Sequence, residues 1–379
     1  MKILVLGAGR MGYGAVCDLV YNSPDVAQVT VADFDFAKAE NIAAKINSPK
    51  LSAIELDVAD YEQSVSVMEK HDSAISCVNY WHNLELSKIA VETFTNFCDL
   101  GGNNYVVDEQ LKLDAEAKRA GINIIPDCGL APGMVSILAM HGAKKFDETH
   151  EIHIRVGGLP QQPKTSLKYQ LVFSVEGLIN EYIEKARVIR DGKITEIESM
   201  TECESLEFEG FPELEAFQTS GGTSTLPDTF LGKIKELDYK TIRYAGHCDK
   251  FKTMIDLGLC SSEEIEIDGR FHKPRNFFGE LLQKHLPSDK PDYVLIRLEF
   301  IGKKDGETKH LKYDIVDKYD EKTGLSAMMR TTAFPASIIA QMMAKGEVLT
   351  RGATPQEKVI DSEKFVAELA RRNIVIRDL

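Results

Sequence analysis

The sequence predicts an α/β protein in which a doubly wound, mostly parallel domain precedes an α+β domain with a mixed or antiparallel sheet, and C-terminal helices return to the first domain. Three observations predict it. Short β-rich runs alternate with helical patterns through the first third of the chain, the pattern of βαβ units. A glycine-rich turn, Gly7-Ala8-Gly9-Arg10-Met11-Gly12, joins the first run to the first helix. Beyond residue 126 strands arrive in pairs around Asp-Gly dipeptides, the chemistry of hairpin turns that need positive φ.

Taken in order, 2–6, 28–33, 51–56, 73–78, 96–100 and 122–126 read as strands, short and rich in apolar and β-branched residues as buried parallel strands are. Between them 12–21, 36–46, 61–70, 83–94 and 108–120 carry apolar residues at helical spacing, each long enough for a right-handed crossover. A helix is expected over 133–146. Asp191-Gly192, Asp268-Gly269 and Asp305-Gly306 mark three hairpins, and 292–301 and 309–317 are extended strands able to pair edge to edge between subunits. The last helices are expected over 335–345, stopped by Gly346, and over 362–372. The boundaries drawn are 1–130, 131–332 and 333–379.

Length and composition narrow the function. With 379 residues, 43% hydrophobic and 27% charged, the chain is long enough for about two or three domains. Forty-five Lys plus Arg against fifty-nine Asp plus Glu leave −14, which repels phosphate backbones and anionic lipid, so neither nucleic acid nor a membrane is an expected partner. No run approaches the ~18 apolar residues of a spanning helix. The seven cysteines include no CxxC pair and no secretory segment follows Met1, so a reducing, cytoplasmic location is expected. No HExxH or paired-His spacing occurs, and no metal is expected.

The glycine turn carries the sharpest chemistry. Gly7 permits the tight turn, Gly9 lets backbone approach a pyrophosphate, and Gly12 allows close helix packing, so that an anion meets the helix N-terminus past Arg10 and Met11. Asp33 follows about 20 residues later, where a carboxylate binds a ribose diol. Asp35 follows it with no arginine nearby, which favours NAD over NADP. Asp57 is placed either in the adenine pocket or as a helix cap. Ligands collect at the carboxyl ends of parallel strands, so Cys77, Val78 and Asn79 are expected at the nicotinamide half, together with the loops 99–103, including Gly101, and 127–133. Turn chemistry alone is the alternative for those loops. Residues 1–130 thus read as an NAD-binding Rossmann domain.

From the first strand through Gly133, and again in Val156-Gly157-Gly158-Leu159-Pro160, the chain resembles the saccharopine dehydrogenase family. Residues 172–178, the run Thr219-Ser220-Gly221-Gly222-Thr223-Ser224-Thr225, and Arg243-Tyr244-Ala245-Gly246-His247 resemble its lysine 6-dehydrogenase branch. The resemblance implies oxidation of the ε-amine carbon of L-lysine by NAD, releasing ammonia and giving allysine, which cyclises to a piperideine carboxylate. It also implies a homodimer or larger closed assembly. Saccharopine- or carboxynorspermidine-forming reductases are the alternative; they usually carry an acidic residue where this chain has Ala131. A nucleotide-binding regulatory protein without turnover is the second alternative.

Such a reaction needs a proton acceptor, because hydride leaves carbon only when the neighbouring nitrogen is unprotonated, and a cation with hydroxyl donors for the substrate's α-carboxylate. Arg243 with Thr219, Ser220, Thr223 and Ser224 is the expected carboxylate site, a guanidinium fork beside small hydroxyls. His247 leads the acid–base candidates because histidine titrates near neutrality, followed by Asp127, Tyr244, Glu176 and His82. Glu176 is also grouped with the substrate-binding set. Cys128 is expected as apolar lining rather than as a nucleophile.

Overall fold

The computed structural model describes residues 1–379, which divide into two compact units. The first comprises Met1–Lys144, Ser224–Leu226 and Met329–Val375. Its sheet is built from β1 (Lys2–Leu6), β2 (Gln28–Asp33), β3 (Leu51–Glu55), β4 (Ser73–Ser76), β5 (Asn96–Asp99) and β6 (Asn123–Ile125) in the order 3-2-1-4-5-6, all parallel. The order reverses between β1 and β4, and that switch point opens a crevice at the strands' carboxyl ends. A two-residue strand, Gly352–Ala353, extends the sheet beyond β6.

Helices Arg10–Tyr21, Phe36–Ile46, Tyr61–Met68 and Asn83–Glu92 fill the crossovers. The single helix expected over 108–120 is two, Asn104–Leu111 and Asp114–Ala120. Asn103 starts the first by accepting from Val106 N–H at 3.2 Å, while acidic Asp114 and Glu116 open the second, where the helix dipole favours them. The first unit also runs past the expected boundary at residue 130. Helix Met134–Ala143 is buried at most positions, so it is an interior element of this unit and not a surface entry to the next.

The last long helix spans Ala327–Ala344 with Pro335 inside it, eight residues earlier than the proline suggested. Its start is capped by a residue distant in sequence. The Asp292 carboxylate accepts from Ala327 N–H at 2.6 Å and from Met328 N–H at 3.0 Å, satisfying donors that no local side chain reaches. From Met329 onward the helix belongs to the first unit, where a Cβ on Gly14 would sit 3.0 Å from Ala333 Cβ.

A buried charge pair ties the C-terminal segment into this unit. Arg372 Nε donates to Asp18 Oδ1 at 2.6 Å, with side chains 2% and 0% exposed. Asn22 Nδ2 donates to the same oxygen, and Ser337 Oγ to the other.

The second unit comprises Lys145–Thr223, Pro227–Met328 and Ile376–Leu379. Its mixed sheet contains β7 (Glu148–Pro160), β8 (Ala186–Arg190), β9 (Lys193–Ile197), β10 (Glu204–Leu206), β11 (Leu214–Gln218) and β12 (Glu236–Tyr244), with β13 (Ile265–Ile267) and β14 (Arg270–His272) forming a separate hairpin. β15 (Asp292–Lys304) and β16 (Glu307–Lys318) complete it in the order 10-11-12-7-15-16. β12 and β7 are parallel and the other neighbours antiparallel. All three Asp-Gly turns adopt positive φ at both residues: +50° and +75° at 191–192, +51° and +74° at 268–269, +53° and +78° at 305–306, the two-residue hairpin geometry. The outer edge of β16 is covered at Tyr313 and Asp314 by the chain's own Arg377–Asp378.

Alternation along β12 decides which side chains meet the covering helices. Tyr239, Thr241 and Arg243 share one face with Tyr182 and Phe217, whereas Ile242 and Tyr244 pack on the other with Leu159, Leu214 and Leu295.

Arg372→Met strands the Asp18 carboxylate in the interior with neutral partners only. The expected loss is about 3–5 kcal/mol in urea unfolding, most of it recovered in Arg372→Met/Asp18→Leu. A loss under about 1 kcal/mol would show that the pair does not hold the segment.

Candidate active site

In the first unit the glycine turn follows β1 directly. Gly7 has φ +99°, and a Cβ on it would lie 2.9 Å from Cys77 O and 3.1 Å from Val78 Cγ1. Cys77 and Val78 therefore wall the turn. At Gly12 a Cβ would lie 1.8 Å from Gly7 O, so the constraint there is the helix closing on its own turn rather than on the sheet. At Gly9 a Cβ meets nothing within 4 Å, and no side chain caps the helix that starts at exposed Arg10. These features fit a dinucleotide: open space over backbone N–H groups at a helix N-terminus suits a pyrophosphate. Asp33 Oδ2 accepts from Ala8 N–H at 2.7 Å and Oδ1 from Asp35 N–H at 2.9 Å, which fixes the carboxylate beside the turn.

Asp57 is exposed and accepts from Ala59 N–H at 2.9 Å. It is a turn residue, and the cap of the next helix is Asp60, which accepts from Gln63 N–H at 3.1 Å. Asn79 is exposed and precedes a short 3₁₀ turn, and His82 Nε2 accepts from Trp81 Nε1 at 3.0 Å.

Beyond β5 and β6 two carboxyl groups are buried together. Asp99 Oδ1 accepts from Gly101 N–H at 2.7 Å and from Asp127 N–H at 3.2 Å, and Oδ2 accepts from Gln110 Nε2 at 2.7 Å. Asp127, 1% exposed with φ +60°, accepts from Ser224 Oγ. A Cβ on Gly101 would lie 2.0 Å from Asp127 Oδ1, so only glycine fits opposite that oxygen. Burial raises the Asp127 pKa to about 7, the Asp99 charge adds to the rise, and the Ser224 hydroxyl opposes it. A carboxyl that changes charge near neutrality is suited to take and return a proton. Ser224, expected at the substrate carboxylate, is instead this group's hydrogen-bond donor. Cys128 is buried, and burial pushes its thiol well above the usual range, as a filling residue requires.

In the second unit Arg243 is 3% exposed and has no carboxylate within ion-pair distance. Nε donates to Tyr182 Oη at 2.8 Å and Nη1 to Ile242 O at 2.9 Å. Its Cζ lies 4.8 Å from the Tyr169 ring centroid and 5.7 Å from that of Tyr182. Because Nε can only donate, the Tyr182 hydroxyl gives its own proton to His247 Nε2 at 3.1 Å. His247 Nδ1–H then donates to Leu167 O at 2.8 Å.

This network corrects the expectation for His247. Burial, with the Arg243 charge adding to it, lowers its pKa from 6.5 to about 3, and the ring is stacked between Phe217 and Phe251. It stays neutral near pH 7 and orients Tyr182 and Arg243; it is not a proton relay. Tyr244 is corrected as well. Its hydroxyl donates to Pro160 O at 2.9 Å on the opposite sheet face from Arg243. Glu176 is exposed at the start of helix Val175–Ile183, paired with Arg275 Nη2 at 2.6 Å.

The hydroxyl run is mostly committed to the protein. Thr219 Oγ1 donates to Thr241 Oγ1 at 2.7 Å and Thr241 Oγ1 to Glu181 Oε1 at 2.7 Å, Ser220 donates to Asn180 O at 3.3 Å, and Thr223 to Arg187 O at 3.0 Å. These hydroxyls hold the protein's own groups rather than stand as free donors. Sequence reasoning missed Tyr169, Glu181 and Tyr182. Their only local signal is the helical i, i+1 placement of a carboxylate and a phenol on a segment whose partners lie on β12.

Comparison with known proteins follows the same division. Residues 3–125 match the family model for the saccharopine dehydrogenase NADP binding domain, and 129–375 that for the saccharopine dehydrogenase C-terminal domain. Carboxyaminopropylagmatine dehydrogenase of Synechocystis sp. is 22% identical, covering 98% of this chain and 96% of its own. Carboxynorspermidine synthase of Vibrio cholerae is 26% identical over 95% and 92%. The NADP(+), L-glutamate-forming saccharopine dehydrogenase of Saccharomyces cerevisiae is 27% identical over 75% of this chain and 63% of its own length. The solved apo structure of the Saccharomyces cerevisiae saccharopine dehydrogenase shares the fold, with TM-score 0.82 at 20% identity over 100% and 99% of the two chains.

The neutrality of His247 has a measurable sign. Below pH 6.5 the unfolded histidine binds a proton that the folded one refuses, so the folded state loses stability on acidification. The stability gap between the parent and His247→Gln is expected to narrow by about 1.6 kcal/mol in total in chemical denaturation between pH 6.5 and 5. A constant gap would mean that the imidazole titrates normally.

Proposed function

The chain belongs to the saccharopine dehydrogenase family, and from that premise we propose that it oxidises the ε-amine carbon of L-lysine with NAD, releasing ammonia. The family makes it a pyridine-nucleotide dehydrogenase of amine-related substrates; lysine and NAD are the finer reading. The observation that carries the reading is Asp127, a buried carboxyl with a pKa of about 7 at the carboxyl end of the nucleotide-binding sheet.

The nucleotide, when bound, accepts the hydride. What the chain's own residues do is prepare the amine. A lysine ammonium of ordinary pKa near ~10.4 holds its proton at neutral pH, and its lone pair is then unavailable to expel hydride. Ionised Asp127 takes that proton. That proton is released to solvent, and the re-ionised carboxylate takes a proton from water as it adds to the iminium carbon and passes it to the nitrogen. Aldehyde and ammonium are left when the hydroxyl proton departs with the amine. Ser224 keeps Asp127 aimed, and Asp99 keeps its affinity for the proton high. Within the second unit alone, Arg243, held by Tyr182 and His247, is a charge suited to a carboxylate.

NAD is favoured by Asp33, whose carboxylate beside the turn suits a ribose diol and repels a 2′-phosphate, with Asp35 next to it. Relatives named NADP(+), L-glutamate-forming saccharopine dehydrogenase and carboxynorspermidine synthase support a second reading, reductive joining of an amine and a semialdehyde with NADPH. Ala131 stands against it.

Nucleotide reduction followed across an amino-acid and diamine panel tests both readings. Lysine with NAD is expected to turn over, with kcat/KM rising through about pH 7 as Asp127 ionises. Asp127→Asn is expected to lose that limb and about a hundredfold or more of the rate. Turnover only in the direction of NADPH-dependent condensation would transfer the assignment to the second reading, and an unchanged limb in Asp127→Asn would remove the residue from the chemistry.

A further inference from the structure

Arg243 is not the only charged group of its cluster with capacity to spare. Glu181, one residue before Tyr182 on helix Val175–Ile183, is half-buried. Its Oε1 accepts from Thr241 Oγ1 at 2.7 Å, which in turn accepts from Thr219 Oγ1 at 2.7 Å, while Oε2 accepts no hydrogen bond. Burial raises the affinity of this carboxyl for a proton and the Arg243 charge pulls it back down. On balance its pKa stays raised, and the Thr241 hydroxyl on Oε1 leaves the second oxygen without a donor.

Tyr169 supplies an independent sign of a missing ligand. Its side chain is 2% exposed, its ring lies 4.8 Å from Arg243 Cζ, and its hydroxyl has no hydrogen-bond acceptor. Buried hydroxyls are rarely left so, because an unmade bond costs the full desolvation of the group. Arg243 Nη2 likewise has no partner, since Nε and Nη1 account for all its bonds. Two donors without acceptors and one acceptor without a donor therefore stand in one cluster.

The complement of that set is a small molecule bearing a carboxylate and an ammonium on one carbon. A diamine would leave Arg243 and Tyr169 unanswered, and a simple carboxylic acid would leave Glu181 unanswered. We infer that Glu181 receives the α-ammonium of the substrate while Arg243 and Tyr169 receive its α-carboxylate, so that the second unit selects an α-amino acid end. This rests on the reading of the chain as an amino-acid dehydrogenase and adds to it the residue that sets substrate class. Glu181 is a binding residue here, with no part in hydride or proton transfer.

The test uses ligands that present the α-end without a reacting amine, so it does not depend on turnover. Calorimetric titration of the full chain with L-norleucine and with hexanoate compares the same carbon chain with and without the α-ammonium. The parent is expected to prefer norleucine by about tenfold or more, the range of one charge-assisted hydrogen bond. In Glu181→Gln, which keeps the size of the side chain, that preference is expected to collapse toward unity, with hexanoate bound as well as before or better.

A parent that binds the two ligands equally overturns the proposal without any variant. So does a Glu181→Gln protein in which both ligands weaken together, because Glu181 would then be only the counter-charge of Arg243. If norleucine is preferred and the preference collapses while lysine is not oxidised, amino-acid recognition stands and the assigned reaction falls.

Discussion

Gly7 O lies where a side chain on Gly12 would begin, and this approach lets β1 pass into a helix within one tight turn. A methyl group there, 1.8 Å from a backbone oxygen, cannot be accommodated by moving a flexible side chain. The turn in turn sets what lies around it. It leaves open space above Gly9, leaves the helix N-terminus without a side-chain cap, and brings Ala8 N–H to the Asp33 carboxylate. An anion-binding helix end with a fixed carboxylate beside it is a nucleotide site before any further residue is considered.

The remaining chemistry depends on charges kept out of water under different compensation. Asp127 has burial and a neighbouring anion against it and a single hydroxyl for it, so its pKa rises to the range where it exchanges protons. Asp99, with three donors on its two oxygens, is the fixed partner that keeps it there. Asp18 is the opposite case, answered by Arg372, Ser337 and Asn22, and it serves the fold. Arg243 lies between these cases: stacked on aromatic rings and held at two nitrogens, but with no carboxylate in contact. What separates structural from functional charge in this molecule is how completely its partners answer it.

The parallel sheet was legible because its signals are local. Strand runs, crossover lengths, the glycine turn and Asp33 all sit within short windows, and β1 and β2 fall where periodicity puts them. The three Asp-Gly hairpins were legible for the same reason, since positive φ at two residues is a property of the dipeptide itself. What failed was decided by distant partners. Asp292 begins a helix thirty-five residues later in the chain, so Pro335 misled as a start signal. His247 has the right chemistry for a proton relay, but a carbonyl at Leu167 and the rings of Phe217 and Phe251 fix it neutral. Tyr244 and Arg243 are adjacent in sequence, and strand alternation sends them to opposite faces. Glu176 and Glu181 look alike in sequence, and only the fold shows that one pairs with Arg275 at the surface while the other accepts from Thr241 of β12.

The central claim is that the glycine-lined crevice beside Asp33 holds a nicotinamide dinucleotide with a free ribose diol. Titration with NADH and NADPH, followed by nicotinamide fluorescence in the parent and in Gly9→Val, tests it most directly. The account predicts one saturable site per chain with NADH bound more tightly than NADPH. It further predicts loss of that site in Gly9→Val without loss of fold, since the space above Gly9 is empty of protein. Absence of binding by either nucleotide, or undiminished binding in Gly9→Val, would contradict it.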